Sequence, residues 1–432
     1  MKHQKLAEAL DHISNRHIEE AVSKKRPRIR WIGAIAAVLA LVLVMGMLAR
    51  PLTLRTKAVS LADYPKFQRY YWESEDAVTR LSDFYASSMA QTLSGHTDNQ
   101  TFSPVNLYLA LCMMAELSED NTQILELLNS DSTEALRKQA NEIWNACYRD
   151  DGDQTLLANS LWLDNQIRYN QETMDTLAEY YYTSVYQSDL QSRKTQTAIQ
   201  NWLNAQTHNL LRSDVDNISA DPETILLLYS TVYYQAKWAD EFNSRNNTES
   251  VFHAPGGDLT CTFMNRKQVQ TDYYWAEDFG AIQLWLKGNS SMWLILPDED
   301  KTIDQVLASD QYAQLLFDQD SYENSKYMKV NLSIPKFDIR ANGDLKEDLQ
   351  ALGVTDVFVE KDDSLYFTNI NQATRVAIDE KGITAASYFE LRGAGAAAPP
   401  EEIIDFILDR PFLFVITTRN MPLFAGVVNQ PV

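Results

Sequence analysis

The order in which two hydrophobic periods run along this 432-residue chain constrains its fold more than any single motif. Up to about residue 211 the apolar positions recur at helical spacing. Ser103-Pro104 supplies an N-cap followed by proline at the first helical position, which predicts a buried helix over Val105 to Leu117. The segments TQILELLN around Glu126 and AIQNWLNAQTHNLL from Ala198 to Leu211 keep the same 3.6-residue period. Beyond them the chain turns to short apolar or alternating runs rich in β-branched and aromatic residues: Ile225 to Tyr234, Ala281 to Leu286, Met292 to Leu296, Lys329 to Pro335 and Pro411 to Ile416. Helices first and strands later, without regular βαβ alternation or internal repeats, predict an α+β fold with large mixed or antiparallel sheets.

Composition narrows the function. A chain that is 45% hydrophobic with 14 glycines buries a substantial core, so disorder is excluded for most of it. Residues 1 to 50 hold nine Lys or Arg against four Asp or Glu, a local +5, which leaves −26 on the remainder of a chain whose net charge is −21. Such a body does not bind nucleic acid, which requires a basic face. Cys112, Cys147 and Cys261 form neither a CxxC pair nor an even disulfide framework, and the six histidines show no metal-ligand spacing. Asp150-Asp151-Gly152-Asp153 is an acidic turn that reads as solvated rather than as a calcium loop. No GxSxG, P-loop or GxGxxG stands in a suitable context, so the expectation is no enzyme, no metal and no cofactor.

Residues 31–49, with the uncharged run WIGAIAAVLALVLVMGML from Trp31 to Leu48, have the length and apolarity of a transmembrane helix. The cluster Lys24-Lys25-Arg26-Pro27-Arg28-Ile29-Arg30 before it should stay cytoplasmic. The expected organisation is a cytoplasmic tail over 1–30, a single-pass anchor over 31–49, a juxtamembrane linker over 50–69 and one extracellular domain over 70–432. A cleaved signal peptide is the competing reading, but no Ala-x-Ala site ends the apolar run.

Eight segments, in order, resemble the serpin family: Phe102-Ser103-Pro104-Val105-Asn106, Asn121 to Leu128, Ala158-Asn159-Ser160-Leu161-Trp162, IQNWLNAQTH from Ile199, YYQAKWADEF from Tyr233 to Phe242, LSIPKF from Leu332 with Leu345 to Phe358, IDEKGITAA from Ile378 to Ala386, and RPFLF from Arg410 with Leu423 to Gly426. The resemblance covers about residues 70 to 432 and implies a membrane-anchored, monomeric suicide inhibitor of serine proteases, of bacterial type. In this family a protease cuts an exposed loop, and the freed segment enters a central sheet as a new strand while the acyl-enzyme persists. The resemblance places that reactive-centre loop at 382–400, its hinge at Gly382, Ile383, Thr384, Ala385 and Ala386, and the scissile bond between Ala396 and Ala397, or one or two residues away within 393–398. It also assigns sheet-opening control to Ser103, Asn106, Ser230 and Gln372, with Asn371 as the alternative to Gln372, and to Trp238 at the top of the sheet.

The loop carries a pattern of its own. From Ile383 every second residue separates Ile383, Ala385, Ser387, Phe389, Leu391 and Gly393 from Thr384, Ala386, Tyr388, Glu390 and Arg392, so the first set would face a core and the second water. A strand of ~14 residues would carry its end ~45 Å. The alternative reading is a flexible Ala/Gly linker. Small residues at the cut fit the shallow pockets of elastase-like proteases, with a cysteine or subtilisin-like protease as the alternative target. Two positions depart from the family pattern: Ile383 stands where Thr or Ser is usual, and Gln372 replaces a histidine. A non-inhibitory carrier or surface-binding member is the rival function, and a surface adhesin the third.

Overall fold

The computed structural model describes residues 59–62, 75–150, 153–212, 220, 223–360, 365–383 and 400–431. The expected tail, the anchor over 31–49, and loop residues Thr384, Ala385, Ala386, Ala396 and Ala397 lie outside them, as do Asp151 and Gly152. Among the described residues no helix is long and apolar enough to cross a membrane.

The chain runs β1 (Val59–Ala62), α1 (Glu75–Leu93), β2 (Gln100–Phe102), α2 (Pro104–Leu117), α3 (Thr122–Leu127), α4 (Thr133–Cys147), β3 (Gln154–Asp164), α5 (Gln171–Tyr181), β4 (Thr183–Ser188), α6 (Arg193–Gln206) and β5 (Leu226–Lys237). It continues through β6 (Thr248–Ala254), β7 (Gly257–Trp275), β8 (Phe279–Leu286), β9 (Ser290–Pro297), α7 (Ile303–Leu307), α8 (Asp310–Phe317), β10 (Ser325–Pro335), β11 (Phe337–Asp344), α9 (Lys346–Ala351), β12 (Asn371–Asp379), β13 (Gly382–Ile383), β14 (Ile403–Ile407), β15 (Phe412–Thr418) and β16 (Met421–Val428). The predicted α+β order holds in outline: β3 and β4, with the short β1 and β2, interrupt the helical half, and the short helices α7, α8 and α9 interrupt the strand half. Leu157, Leu161 and Leu163 of β3 are buried, and the strand starts four residues before the Ala158 to Trp162 segment, which the family resemblance makes a strand start.

Two sheets organise the core. A seven-stranded sheet has the order β1-β4-β3-β5-β13-β12-β11, antiparallel except for β3 beside β4. A nine-stranded sheet runs β14-β10-β7-β8-β9-β15-β16-β2, with β6 added on β7. β15 and β16 are buried at every position, as strands covered on both faces must be. Helix α2 passes between the sheets and is apolar almost all round, from Val105 to Ala115, which is the composition of a helix with no wet face. On the opposite face of the seven-stranded sheet, Ile199 and Leu203 of α6 pack with Trp162, Leu227, Tyr229 and Ala373 into a separate small cluster.

Residues 59–62 had been read as part of the linker. They form β1, the edge strand of the seven-stranded sheet, and the Gln171 side-chain amide donates to the Leu61 carbonyl at 3.1 Å. All three cysteines are free thiols, and burial pushes that of Cys147 up to about 12.

Candidate functional site: a seam in the seven-stranded sheet

β5 and β12 run parallel to each other with β13 between them. Ile383 pairs with Ile378 on one side and Ala236 on the other, and Gly382 with Asp379 and Lys237. Among the described residues no ladder joins β5 directly to β12, so β13 alone links the two halves of this sheet.

The sequence explains why β13 sits there. Asp379 closes a tight turn by accepting the N–H groups of Lys381 and Gly382 at 2.8 and 3.2 Å. Gly382 has φ +146, and a Cβ on it would stand 2.3 Å from the Ala236 carbonyl oxygen and 2.6 Å from the Lys237 Cα. Only glycine fits between the two strands. Ile383 follows with 3% exposure, its branched side chain already in the main core. Ile is the departure from the usual hinge residue noted above, and it enters without leaving a polar group unpaired.

Trp238, 1% exposed at the end of β5, holds this turn. Its indole N–H donates to the Asp379 carbonyl at 2.8 Å and its backbone N–H to Lys381 at 3.1 Å. Phe242 packs edge-on against it and donates its N–H to the Glu380 carbonyl at 2.8 Å, while the Arg266 guanidinium lies over the Phe242 ring. Three residues not singled out from sequence complete the clasp. The Glu380 carboxylate accepts from Lys336 at 3.1 Å through both oxygens and from the Asn247 amide at 2.6 Å. Burial works to raise the Glu380 carboxyl; its own backbone N–H, Asn247 and Lys336 outweigh this and hold it below its ordinary value. Lys336 and Glu380 both lie inside quoted motifs, LSIPKF and IDEKGITAA, but 44 residues apart, so the sequence carries no local signal that they pair.

The four polar residues assigned to sheet control come together lower down. The Ser103 hydroxyl caps α2 by accepting from the Asn106 N–H at 3.3 Å, as its motif predicted. Gln372 grips the backbone of the same residue, accepting from the Ser103 N–H at 2.7 Å and donating to its carbonyl at 3.2 Å. Asn106 donates to the Ser230 carbonyl at 3.0 Å. Between the two residues considered, Gln372 is the one in place, whereas Asn371 is exposed at the strand's start. The Ser230 hydroxyl and the Asn106 side-chain oxygen are buried without a protein partner, and so is the side-chain oxygen of Asn159, the register partner of Ser230.

Among the described residues no group of three or more His, Cys, Asp or Glu is placed to hold a metal. Asp153, from the acidic turn, instead accepts from the Lys237 backbone N–H at 3.4 Å.

Comparison with known proteins agrees with this geometry. Residues 80–431 match the family model described as Serpin (serine protease inhibitor). The chain is 28% identical over 393 residues to Serpin-ZX of Arabidopsis thaliana, an alignment covering 83% of this chain and 98% of that protein. The thermophilic serpin tengpin in its native state superposes with a TM-score of 0.74 at 23% identity, over 87% of this chain and all of that one. Human thyroxine-binding globulin, complexed with thyroxine, superposes at 0.69 with 20% identity, over 82% and 100%. The sheet order, the seam and a family match spanning residues 80–431 lead to one assignment: this chain belongs to the serpin family.

Proposed function

We propose that the protein is a suicide-substrate inhibitor of serine endopeptidases that cleave after small residues. The reading supported best is cleavage between Ala396 and Ala397, followed by entry of the freed segment between β5 and β12 with the acyl-enzyme still attached.

The observation that carries this is the two-residue strand β13, seated between strands that no described ladder joins. Continuing its register down the seam would set Ala385 beside Val376 and Tyr234, Ser387 beside Thr374 and Val232, and Phe389 beside Gln372 and Ser230. Thr374 and Val376 are buried, and Tyr234 and Val232 belong to the main core. The odd-numbered loop residues would thus face the core, and Tyr388, Glu390 and Arg392 would face the α6 side. Phe389 would arrive where Gln372 holds Ser103, so that grip yields on full insertion. Ten inserted residues, each pairing its N–H and C=O with β5 or β12, would add about twenty ladder hydrogen bonds at roughly 1 kcal/mol each, with burial of Phe389 and Leu391 adding about 2 kcal/mol apiece, so insertion runs downhill.

Small residues throughout 393–398 favour elastase-like targets, with subtilisin-like enzymes next. The run over 31–49 supports an anchor that leaves the N-terminus cytoplasmic and the inhibitor domain outside the cell. Mixing the protein with a panel of elastases and subtilisins and running denaturing gels tests the reading. An SDS-stable adduct of the combined mass is expected. A clipped chain with no adduct would contradict it and favour a carrier, a reading that draws on the thyroxine-binding neighbour and on an open cleft of about 990 Å³ bordered by Asn265, Arg266, Asn331 and Asp405.

A further inference from the structure

The register of β1 fixes the pole at which the N-terminal segment joins the body. Val59 pairs with Gln187 of β4, Gln187 with Leu163 of β3, and Leu163 with Leu226 of β5, so these four residues form one row across the sheet. That row crosses the far end of β5 from Lys237, where Gly382 and Trp238 sit. Eleven residues of strand, ~36 Å, separate the two ends. The segment following residues 31–49 therefore enters at the pole opposite the hinge of the reactive loop.

Continuing β13 in register brings Gly393 beside Leu226, into the row that begins with Val59. Ala396 would then stand three residues, ~10 Å, beyond the sheet's end. We propose that trapping delivers the captured protease to the bilayer: the loop is presented at the membrane-distal pole, and insertion carries the acyl-enzyme to the membrane-facing pole, against the lipid surface. This inference rests on the inhibitor and anchor readings proposed above.

Chain length makes the contact close. Nine residues, 50–58, connect the anchor to β1 and span at most ~30 Å. A protease of about 230 residues has a radius of gyration of ~17 Å, hence a diameter of ~45 Å as a compact sphere. It does not fit freely beneath the body on that tether, so the trapped enzyme abuts the headgroups and the body tips to admit it. The tether length, rather than any lipid-binding residue, sets the separation.

The test uses the full chain in phosphatidylcholine nanodiscs carrying a headgroup acceptor dye, with an elastase bearing a donor dye far from its active site. Energy transfer should rise at least twofold as the SDS-stable adduct forms. An elastase whose nucleophilic serine is replaced by alanine, which binds the loop without cutting, should give no rise. Inserting twenty Gly/Ser residues between Leu54 and Arg55 should cut the transfer by at least half while leaving adduct yield unchanged. Adduct formation with transfer no higher than for the inactive elastase would overturn the inference and leave the inhibitor reading standing. Absence of the adduct on the gel, or failure of the chain to enter nanodiscs, would remove it together with the reading it stands on, and the gel and the nanodisc purification report those two failures separately.

Discussion

In the nine-stranded sheet, β15 is laddered to β9 from Leu413 to Thr418 and to β16 from Phe412 to Thr418, whereas in the seven-stranded sheet β5 and β12 meet only through Gly382 and Ile383. In the first sheet β15 is paired along its length on both sides, and β15 and β16 are buried at every position. The second carries buried oxygens of Ser230, Asn106 and Asn159 without partners beside the seam. Under the proposed mechanism the first region is the finished part of the molecule and the second the part that insertion completes.

Substitutions in the two regions should differ in what they do to the intact and the loop-cleaved molecule. Phe414 is fully buried in β15 and packs on Phe337 at 5.5 Å between ring centres. Phe414→Ala should remove about 4 kcal/mol from both forms alike, read as equal falls in their melting temperatures. Gly382→Val is expected to destabilise the intact form by about 3 kcal/mol, since a side chain there collides with the β5 backbone at positive φ. It should also convert the protein from inhibitor towards substrate, seen as more clipped chain per adduct.

Smaller effects separate the parts of the polar cluster. Gln372→Ala leaves the buried Ser103 N–H without its acceptor and should cost about 2 kcal/mol in the intact form only, widening the gap between the two melting temperatures. Ser103→Ala removes only the α2 cap, because Gln372 grips the backbone, and about 1 kcal/mol should be lost from both forms equally. Acidification acts on the upper clasp. The Glu380 carboxyl is held below its ordinary 4.5, so its contribution is fully present above that pH and is lost as pH falls through the depressed value. The melting temperature of Glu380→Gln should therefore fall less than that of the unmodified protein between pH 5 and pH 3.

Much of this was legible in the residues. The period change gave the α+β order, Ser103-Pro104 gave the start of α2, and the alternation from Ile383 agrees with the face that Ile383 occupies. What escaped notice depended on contacts far apart in sequence. For β3 the resemblance marks a strand start at Ala158 to Trp162, but the strand begins at Gln154, and QTLLANSLWLD carries no clean alternation to show its length. β1 carries no strong pattern in four residues and exists because β4 offers an open edge. The Glu380–Lys336 pair lies 44 residues apart, and nothing local says that the two motifs meet.

The melting temperatures of the intact and loop-cleaved chain, measured side by side, test the stored free energy most directly. About twenty new ladder bonds should raise the cleaved form by about 15 °C or more. A cleaved chain that melts at or below the temperature of the intact one would show that the seam accepts no strand.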